Sequence, residues 1–152
     1  MKRLFLVLAA ITATLAIARP ANGENPDHVR QLLETGACQG CNLVGAELAG
    51  AHLIGADLRD ANLSYANLAH VNLEGADLTG ANLAGADMTE AFLTNAVLND
   101  ARLDRVDFTA AKMYDTLVMG ASMEDLTLTD AEIFNTGISV GGSYEEFVPG
   151  EE

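Results

Sequence analysis

Every fifth residue from Leu43 to Ile138 is apolar, and this period of five constrains the fold more than any other feature of the chain. Thirteen of these twenty positions are Leu, and the position two residues earlier is Ala in fourteen of the twenty units. A helix repeats about every 3.6 residues and a strand every two, so neither element holds a strict five-residue period. A repeat this short is typical of a solenoid, in which each coil packs on its neighbours.

Each unit has five positions, from i−2 to i+2, with the apolar residue at the centre, i. Ala at i−2 is small enough to share the interior with Leu. Side chains of Asn and Asp hydrogen-bond to nearby backbone and favour tight turns, and they recur at i−1. The i−1 positions with Asn or Asp include residues 42, 57, 62, 67, 72, 77, 82 and 87. Gly recurs at i+2, where a corner with an unusual φ angle is easiest for Gly.

This A-[DN]-L-x-x pattern closely resembles that of the pentapeptide-repeat family, and the resemblance covers residues 41–140. It implies an all-β solenoid, a right-handed quadrilateral β-helix with four units per coil and therefore about five coils. At a strand spacing of about 4.8 Å, five coils would form a rod of roughly 24 Å plus its caps.

A short α-helix is predicted before the repeats. Residues 25–27 read Asn-Pro-Asp, which combines a good N-cap, a Pro suited to the first turn and an acidic residue that complements the helix dipole. Val29, Leu32 and Leu33 form an apolar stripe, and Gly36 is a plausible end. Such a short helix is not stable alone, so we expect it to cap the open first coil.

The first residues are typical of a secretory signal. Lys2 and Arg3 precede a mostly apolar run over residues 4–18, which is shorter than the ~20 residues of a membrane-spanning helix. Small residues at 21 and 23 suit a cleavage site; a retained anchor is the alternative.

The predicted organisation is a signal peptide at 1–23, a capping helix at 24–37, the β-helix at 38–140 and an acidic tail at 141–152. We expect an exported protein without a stable membrane anchor, and resemblance to exported family members favours the periplasm or a thylakoid lumen.

The net charge of −14 limits the partners that the chain can bind. A field of this sign repels nucleic acid and anionic membranes, so we expect no nucleic-acid ligand. Basic protein partners remain possible, and an acidic coat that keeps a monomeric rod soluble is the simpler interpretation.

Cys38 and Cys41 form a C-x-x-C motif just before the repeats. The next residue is Asn42, so the haem-attachment signature is absent, and no βαβ context supports a thioredoxin-like motif. The histidines, which a zinc site would need as further ligands, do not have the usual spacing. In an exported protein the default is a disulfide that clips the capping helix to the first coil; buried free thiols and a redox function are the alternatives.

Stacking units four apart predicts an apolar partner surface on the late coils. Phe92, Tyr114 and Phe134 would lie close together on the outside of one face, and the adjoining face would add Val97, Leu117 and Met119. An exposed apolar patch rimmed by charge indicates a binding site. Alternatively, the late coils pack under the C-terminal tail through its residues Tyr144, Phe147 and Val148.

Catalysis finds little support, because no nucleophile-elbow, zincin, P-loop or dinucleotide-binding motif is present, and no cofactor or metal is expected. Stacked carboxylates such as Asp57 and Asp77 could hold a cation weakly, but repetition of the turn residue explains them more simply.

We therefore predict an exported, non-enzymatic scaffold or protein-binding module. The alternative is an acidic, DNA-mimicking rod that binds a type II topoisomerase, as the resemblance implies. An export signal and a centre position that is mainly Leu, where such mimics favour Phe, count against it.

Overall fold

The structure, a computed structural model, describes residues 23–138. The predicted signal peptide, apart from Gly23, and the predicted tail contacts of Tyr144, Phe147 and Val148 lie outside these residues.

The repeats form a right-handed quadrilateral β-helix, as the sequence predicts. Successive coils pair in parallel with an offset of twenty residues, as in Asp57↔Asp77 and Asp77↔Val97. Two bonds recur in each unit: the centre N–H of Leu78 donates to the carbonyl of Val97 at 2.7 Å, and the preceding N–H of Asp77 donates to the carbonyl of Ala56 at 2.9 Å. Four five-residue units therefore close one coil, and each face is a narrow parallel sheet.

The four faces can be identified by their centre residues. The first face has Leu43, Leu63, Leu83, Leu103 and Met123; the second has Leu48, Leu68, Met88, Phe108 and Leu128; the third has Leu53, Leu73, Leu93, Met113 and Ile133; and the fourth has Cys38, Leu58, Leu78, Leu98, Val118 and Ile138.

The interior is built from stacked centre residues, which confirms the inward assignment. Leu58, Leu78 and Leu98 are fully buried, as is Phe108, which takes the place of a Leu on the second face. Ala at i−2 is also buried, at positions 61, 76 and 81 among others. A column of Leu and Ala thus supplies a core that needs few aromatic residues.

The corners follow the turn chemistry predicted at i−1 and i+2. Asp77 accepts hydrogen bonds through Oδ1 from the backbone N–H of Thr79 at 3.0 Å and from the Thr79 hydroxyl at 2.6 Å. The i+2 residue adopts a left-handed conformation at every corner, including non-glycine residues such as Tyr65, with φ of 59°. Gly85 follows Tyr65 one coil later, and a Cβ there would lie 2.7 Å from the Tyr65 ring, so the missing side chain makes room for it.

Helix α1 spans Pro26–Thr35 and lies before the first coil. Asn25 is its N-cap and accepts from the N–H of Asp27, while Gly36 ends it in a left-handed conformation. Leu32 is buried, but Leu33 is 55% exposed, so the predicted stripe of Val29, Leu32 and Leu33 is only partly right. Leu33 lies about 100° around the helix from Leu32, beyond the narrow contact that the end of a solenoid offers. Within 23–138, no helix is long and apolar enough to cross a membrane.

The solenoid begins one unit earlier than the sequence pattern indicates. Ala37 pairs with Asp57, which places buried Cys38 at a centre position and buried Cys41 at the next i−2 position. The structure joins the two cysteines by a disulfide. Both lie in the first coil, so the expectation that the disulfide clips the helix to that coil is wrong. The cap is instead attached by hydrogen bonds: the Asn42 N–H donates to Nδ1 of His28 at 2.9 Å, and the Asn25 N–H donates to the Asn42 carbonyl at 3.2 Å.

The two longest strands lie on the third face near the C-terminal end. Strand β1, Lys112–Tyr114, pairs in parallel with strand β2, Glu132–Phe134. In the last described coil, the centre residues Met123, Leu128 and Ile133 are only partly buried, whereas the centre residues of all earlier coils are buried. The core is therefore complete through four coils and opens at the fifth.

Candidate functional site

The six residues of the predicted partner surface lie on the third and fourth faces, which meet at one corner of the solenoid. We call them the corner patch: Phe92, Tyr114, Phe134, Val97, Leu117 and Met119. Tyr114 and Phe134 are register partners on strands β1 and β2. Val97 and Leu117 are bridge partners in successive coils, at the start of the fourth face. The twenty-residue offset of the coils therefore brings distant sequence positions onto one surface.

Most of the corner patch is open to solvent. Met119 is 71% exposed, Phe134 68% and Leu117 48%, while Phe92 is 42% exposed and both Tyr114 and Val97 are half-buried. The interior is already filled by the centre residues, so these side chains are not needed for the core. Large apolar side chains that cluster outside a complete core are typical of an interaction surface.

Charged neighbours divide the corner patch into two parts. The Lys112 ammonium lies 5.7 Å from the centre of the Phe92 ring and 3.9 Å from a Glu132 carboxylate oxygen. The Tyr114 hydroxyl donates to Glu132, and this hydrogen bond to the carboxylate raises the pKa of Tyr114, with desolvation adding to it. Phe92 stacks next to Lys112 in the i−1 column of the third face, whereas Tyr114 and Phe134 stack in the i+1 column. The purely apolar part consists of Phe134, Leu117 and Met119.

Two further exposed side chains, Ile54 and Tyr65, were given no role by the sequence reasoning. Ile54 and Tyr65 are each 63% exposed, far from the corner patch in coil number. Tyr65 extends along a corner towards Arg105, whose guanidinium donates to its hydroxyl at 3.5 Å. The contact between Tyr65 and Arg105 could have been predicted from the sequence, because residues 65, 85 and 105 occupy the same corner position in successive coils.

The stacked carboxylates of Asp57 and Asp77 both lie close to the side chain of Arg59. Arg59 makes a two-point contact with Asp57, at 2.8 Å and 2.7 Å, and its Nε lies 3.9 Å from Asp77. Hydrogen bonds from the Arg59 side chain are the main cause that lowers the pKa of Asp57 from 3.8 to about 2. Since the Arg59 guanidinium lies against both carboxylates, the arrangement is a surface ion pair.

The buried polar side chains of the described residues are satisfied within the fold. Residues 23–138 hold no cluster of His, Cys, Asp or Glu that could bind a metal ion. Their buried side-chain polar atoms all have hydrogen-bond partners; Thr116, for example, donates to the carbonyl of Leu93 at 2.7 Å.

Comparison with known families identifies the repeat. The family model for pentapeptide repeats matches residues 41–80 and 76–115. A sequence comparison with curated proteins found no match.

Three solved structures are similar to this chain. QnrB1, a plasmid-mediated fluoroquinolone resistance protein, superposes with a TM-score of 0.59 at 21% identity, covering 65% of this chain and 49% of QnrB1. The chain thus spans about half the length of that relative. Rfr23 from the cyanobacterium Cyanothece 51142 gives a TM-score of 0.46 at 22% identity, covering 73% of this chain and 92% of Rfr23. A pentapeptide-repeat protein from the Arabidopsis thaliana thylakoid lumen gives 0.39 at 26% identity, with 72% and 66% covered. At this level of similarity the superposition on QnrB1 supports the fold alone.

Proposed function

Because the chain belongs to the pentapeptide-repeat family, we propose that it is an exported, non-enzymatic scaffold or protein-binding module whose partner docks on the corner patch. The observation that carries this proposal is the exposure of Phe134, Leu117 and Met119 on two adjoining faces of the solenoid, outside its core. Aromatic and Met side chains are enriched at protein interfaces, and a few such residues commonly supply most of the binding energy.

Polar groups border the corner patch on one side. Lys112, Glu132 and the Tyr114 hydroxyl form a connected group on one side of the apolar residues. A polar rim around an apolar centre is the usual anatomy of an interface, and the rim fixes orientation more than affinity. We propose that Phe134 and Leu117 bind the partner's apolar side chains while Lys112 and Glu132 set its register.

A capture experiment with two matched variants tests this function. The patch variant is Phe134→Ser/Leu117→Ser/Met119→Ser; the control, Leu33→Ser/Ile54→Ser/Tyr65→Ser, removes three equally exposed apolar side chains elsewhere. Each protein is crosslinked in extract from the exported compartment of its own organism. We expect a partner that wild type and the control capture and that the patch variant loses. Equal capture by all three proteins would place the site elsewhere, and no capture by any would argue against a protein-binding role.

The second candidate is the acidic rod that binds a type II topoisomerase. The observation that favours it is the second face, which carries no Lys or Arg in any coil. Its acidic residues are Glu47, Asp87, Glu90, Asp107 and Asp130. Such a face presents a surface of one sign of charge, as the phosphates of a duplex do. Inhibition of topoisomerase supercoiling at micromolar protein would favour this function, and its loss when the second-face carboxylates are changed to amides would assign it to that face.

A further inference from the structure

The first face of the solenoid carries no charged residue over three successive coils, although the chain has 22 acidic residues. We call this stretch the uncharged face; it consists of residues 41–45, 61–65 and 81–85. Each of the other faces carries charge over the same coils, for example at Glu47, Glu74 and Asp57. The repeat does not require neutral residues, because Asp replaces Asn at i−1 on the second and fourth faces. The lack of charge is therefore a property of this face and not of the fold.

Asn side chains form a ladder along the uncharged face. Asn42, Asn62 and Asn82 are bridge partners in successive coils, at the strand spacing of about 4.8 Å. Each Oδ1 accepts a hydrogen bond from the backbone N–H two residues later, and Nδ2 of Asn82 donates to Oδ1 of Asn62 at 3.2 Å. These bonds fix the amides in a row at the surface. An amide group both donates and accepts, so the row matches a ligand whose groups do the same.

An exposed aromatic ring stands at the edge of the uncharged face. Tyr65 is the one Tyr or Phe at a corner among residues 23–138, and its φ of 59° would suit Gly or Asn better. Gly85 leaves room for the ring, and Arg105 donates to its hydroxyl at 3.5 Å. Between the ring and the Asn ladder, Ser64 and Ala84 are nearly buried, so no long side chain stands there. The fold thus holds one aromatic ring beside a flat row of amides.

These features favour a neutral ligand that is rich in hydroxyl groups. The negative charge of the whole chain repels anionic polymers, and the uncharged face offers a cationic ligand no ion pair. A protein interface usually has several apolar anchors at its centre, whereas this face exposes just Tyr65 and part of Val44. A sugar ring has hydroxyls at its edge and C–H groups on its faces. The hydroxyls can bond to amides, and the C–H groups can pack on the electron-rich face of an aromatic ring.

We propose that the uncharged face binds a neutral polysaccharide, with one sugar ring packed on Tyr65 and the neighbouring rings bonded to the Asn ladder. The three residues between an Asn of the ladder and the corner span at most about 10 Å, so the chain lies across the face. Binding changes little with salt concentration, because no ion pair forms. This site goes beyond the function proposed above, since the uncharged face and the corner patch are different surfaces.

An NMR titration of the intact chain, purified after export, tests the proposal. The probes are cellohexaose, maltohexaose and chitohexaose, which are neutral and differ in linkage or substituent, and hexagalacturonate is the anionic control. The side-chain amide signals of Asn62 and Asn82 and the ring signals of Tyr65 report on contact. We expect at least one neutral probe to shift these signals to saturation at millimolar concentration, with the same affinity at low and high salt. Hexagalacturonate should leave the signals unchanged.

Two pairs of matched variants locate the site. Tyr65→Asn removes the ring and places a residue that suits positive φ, and His70→Asn does the same at the next corner. Asn82→Asp removes the amide donors but keeps the oxygen that the turn needs, and Asn72→Asp does the same on the third face. We expect Tyr65→Asn and Asn82→Asp to weaken binding about tenfold and the two controls to bind within about twofold of wild type.

Three results would overturn the proposal. No shift with any neutral probe at millimolar concentration would exclude the site. Equal weakening by Tyr65→Asn and His70→Asn would mean that the probe contacts corners in general. A protein captured in extract by a photo-crosslinking amino acid at position 82, with a yield that the probes do not reduce, would assign the face to a protein partner. These results concern the first face and leave the proposal for the corner patch as it stands.

Discussion

At the residue scale, the centre of each five-residue unit determines whether the coils stack. Leu78 is fully buried in the middle of the fourth face, where burial of a Leu side chain contributes about 1.5–3 kcal/mol. We predict that Leu78→Ala lowers the free energy of unfolding by about 2–5 kcal/mol and that Leu78→Asp abolishes the cooperative thermal transition. Circular dichroism melting measures both, with Ala49→Asp, on the exposed outside, as the control for added charge. An unchanged melt of Leu78→Asp would contradict the inward assignment.

The ion pair of Asp57 and Arg59 should be visible in the titration of the carboxylate. Arg59 holds the pKa of Asp57 at about 2 in the folded protein, below its ordinary value of 3.8. A depressed pKa stabilises the fold above pH ~4, and this contribution is lost as the pH falls towards 2. The pair is exposed to solvent, so its effect on stability is small. Carbon-13 NMR of the carboxyl group should give a midpoint near 2 in wild type and a higher midpoint in Arg59→Gln; identical midpoints would show that Arg59 does not cause the shift.

Single residues also show what the sequence could and could not predict. The five-residue period correctly placed the centre residues inside, because a strict repeat leaves each side chain one possible orientation. Cys38 was missed as a centre because its unit, 36–40, lacks the repeat's other residues. The bond from Tyr114 to Glu132 was also missed, since it depends on how two long side chains lie across neighbouring coils.

At the element scale, helix α1 is the N-terminal cap, and it is attached to the first coil through few contacts. The start and end of α1 could be predicted from Asn25, Pro26 and Gly36, because capping chemistry is local. The side of the helix that faces the coil could not be predicted, because this contact depends on the shape of the solenoid end. Leu33 is outside for this reason, and Leu32 alone is fully buried.

The pair of Cys38 and Cys41 is expected to stabilise the first coil. A disulfide that closes so short a loop contributes ~2 kcal/mol by restricting the unfolded chain. We predict that a reducing agent lowers the free energy of unfolding of the exported protein by about this amount, and that Cys38→Ala/Cys41→Ala does not respond to it. Denaturant unfolding with and without dithiothreitol measures the difference. Two free thiols per chain, found by quantitative counting before reduction, would show that the disulfide does not form.

At the scale of the whole molecule, the protein is a one-dimensional stack of coils with different surfaces on different faces. The interior and the corners follow from the repeat, so architecture could be predicted from sequence alone. The outward positions vary freely, and function is carried by them: the corner patch on the third and fourth faces, and an acidic second face. The sequence indicated the six residues of the patch, but their exposure required the coil register and the packing of neighbouring side chains.

Site-specific photo-crosslinking tests most directly whether the corner patch is the partner-binding surface. A benzophenone amino acid would replace Met119 or Phe134 in the patch, or Ile54 or Tyr65 outside it, all four of which are more than half exposed. The protein is expressed and irradiated in its own organism. We predict a crosslinked species of one mass from both patch positions and none of that mass from the other two. Crosslinks of equal yield from all four positions, or from Ile54 and Tyr65 alone, would contradict the account.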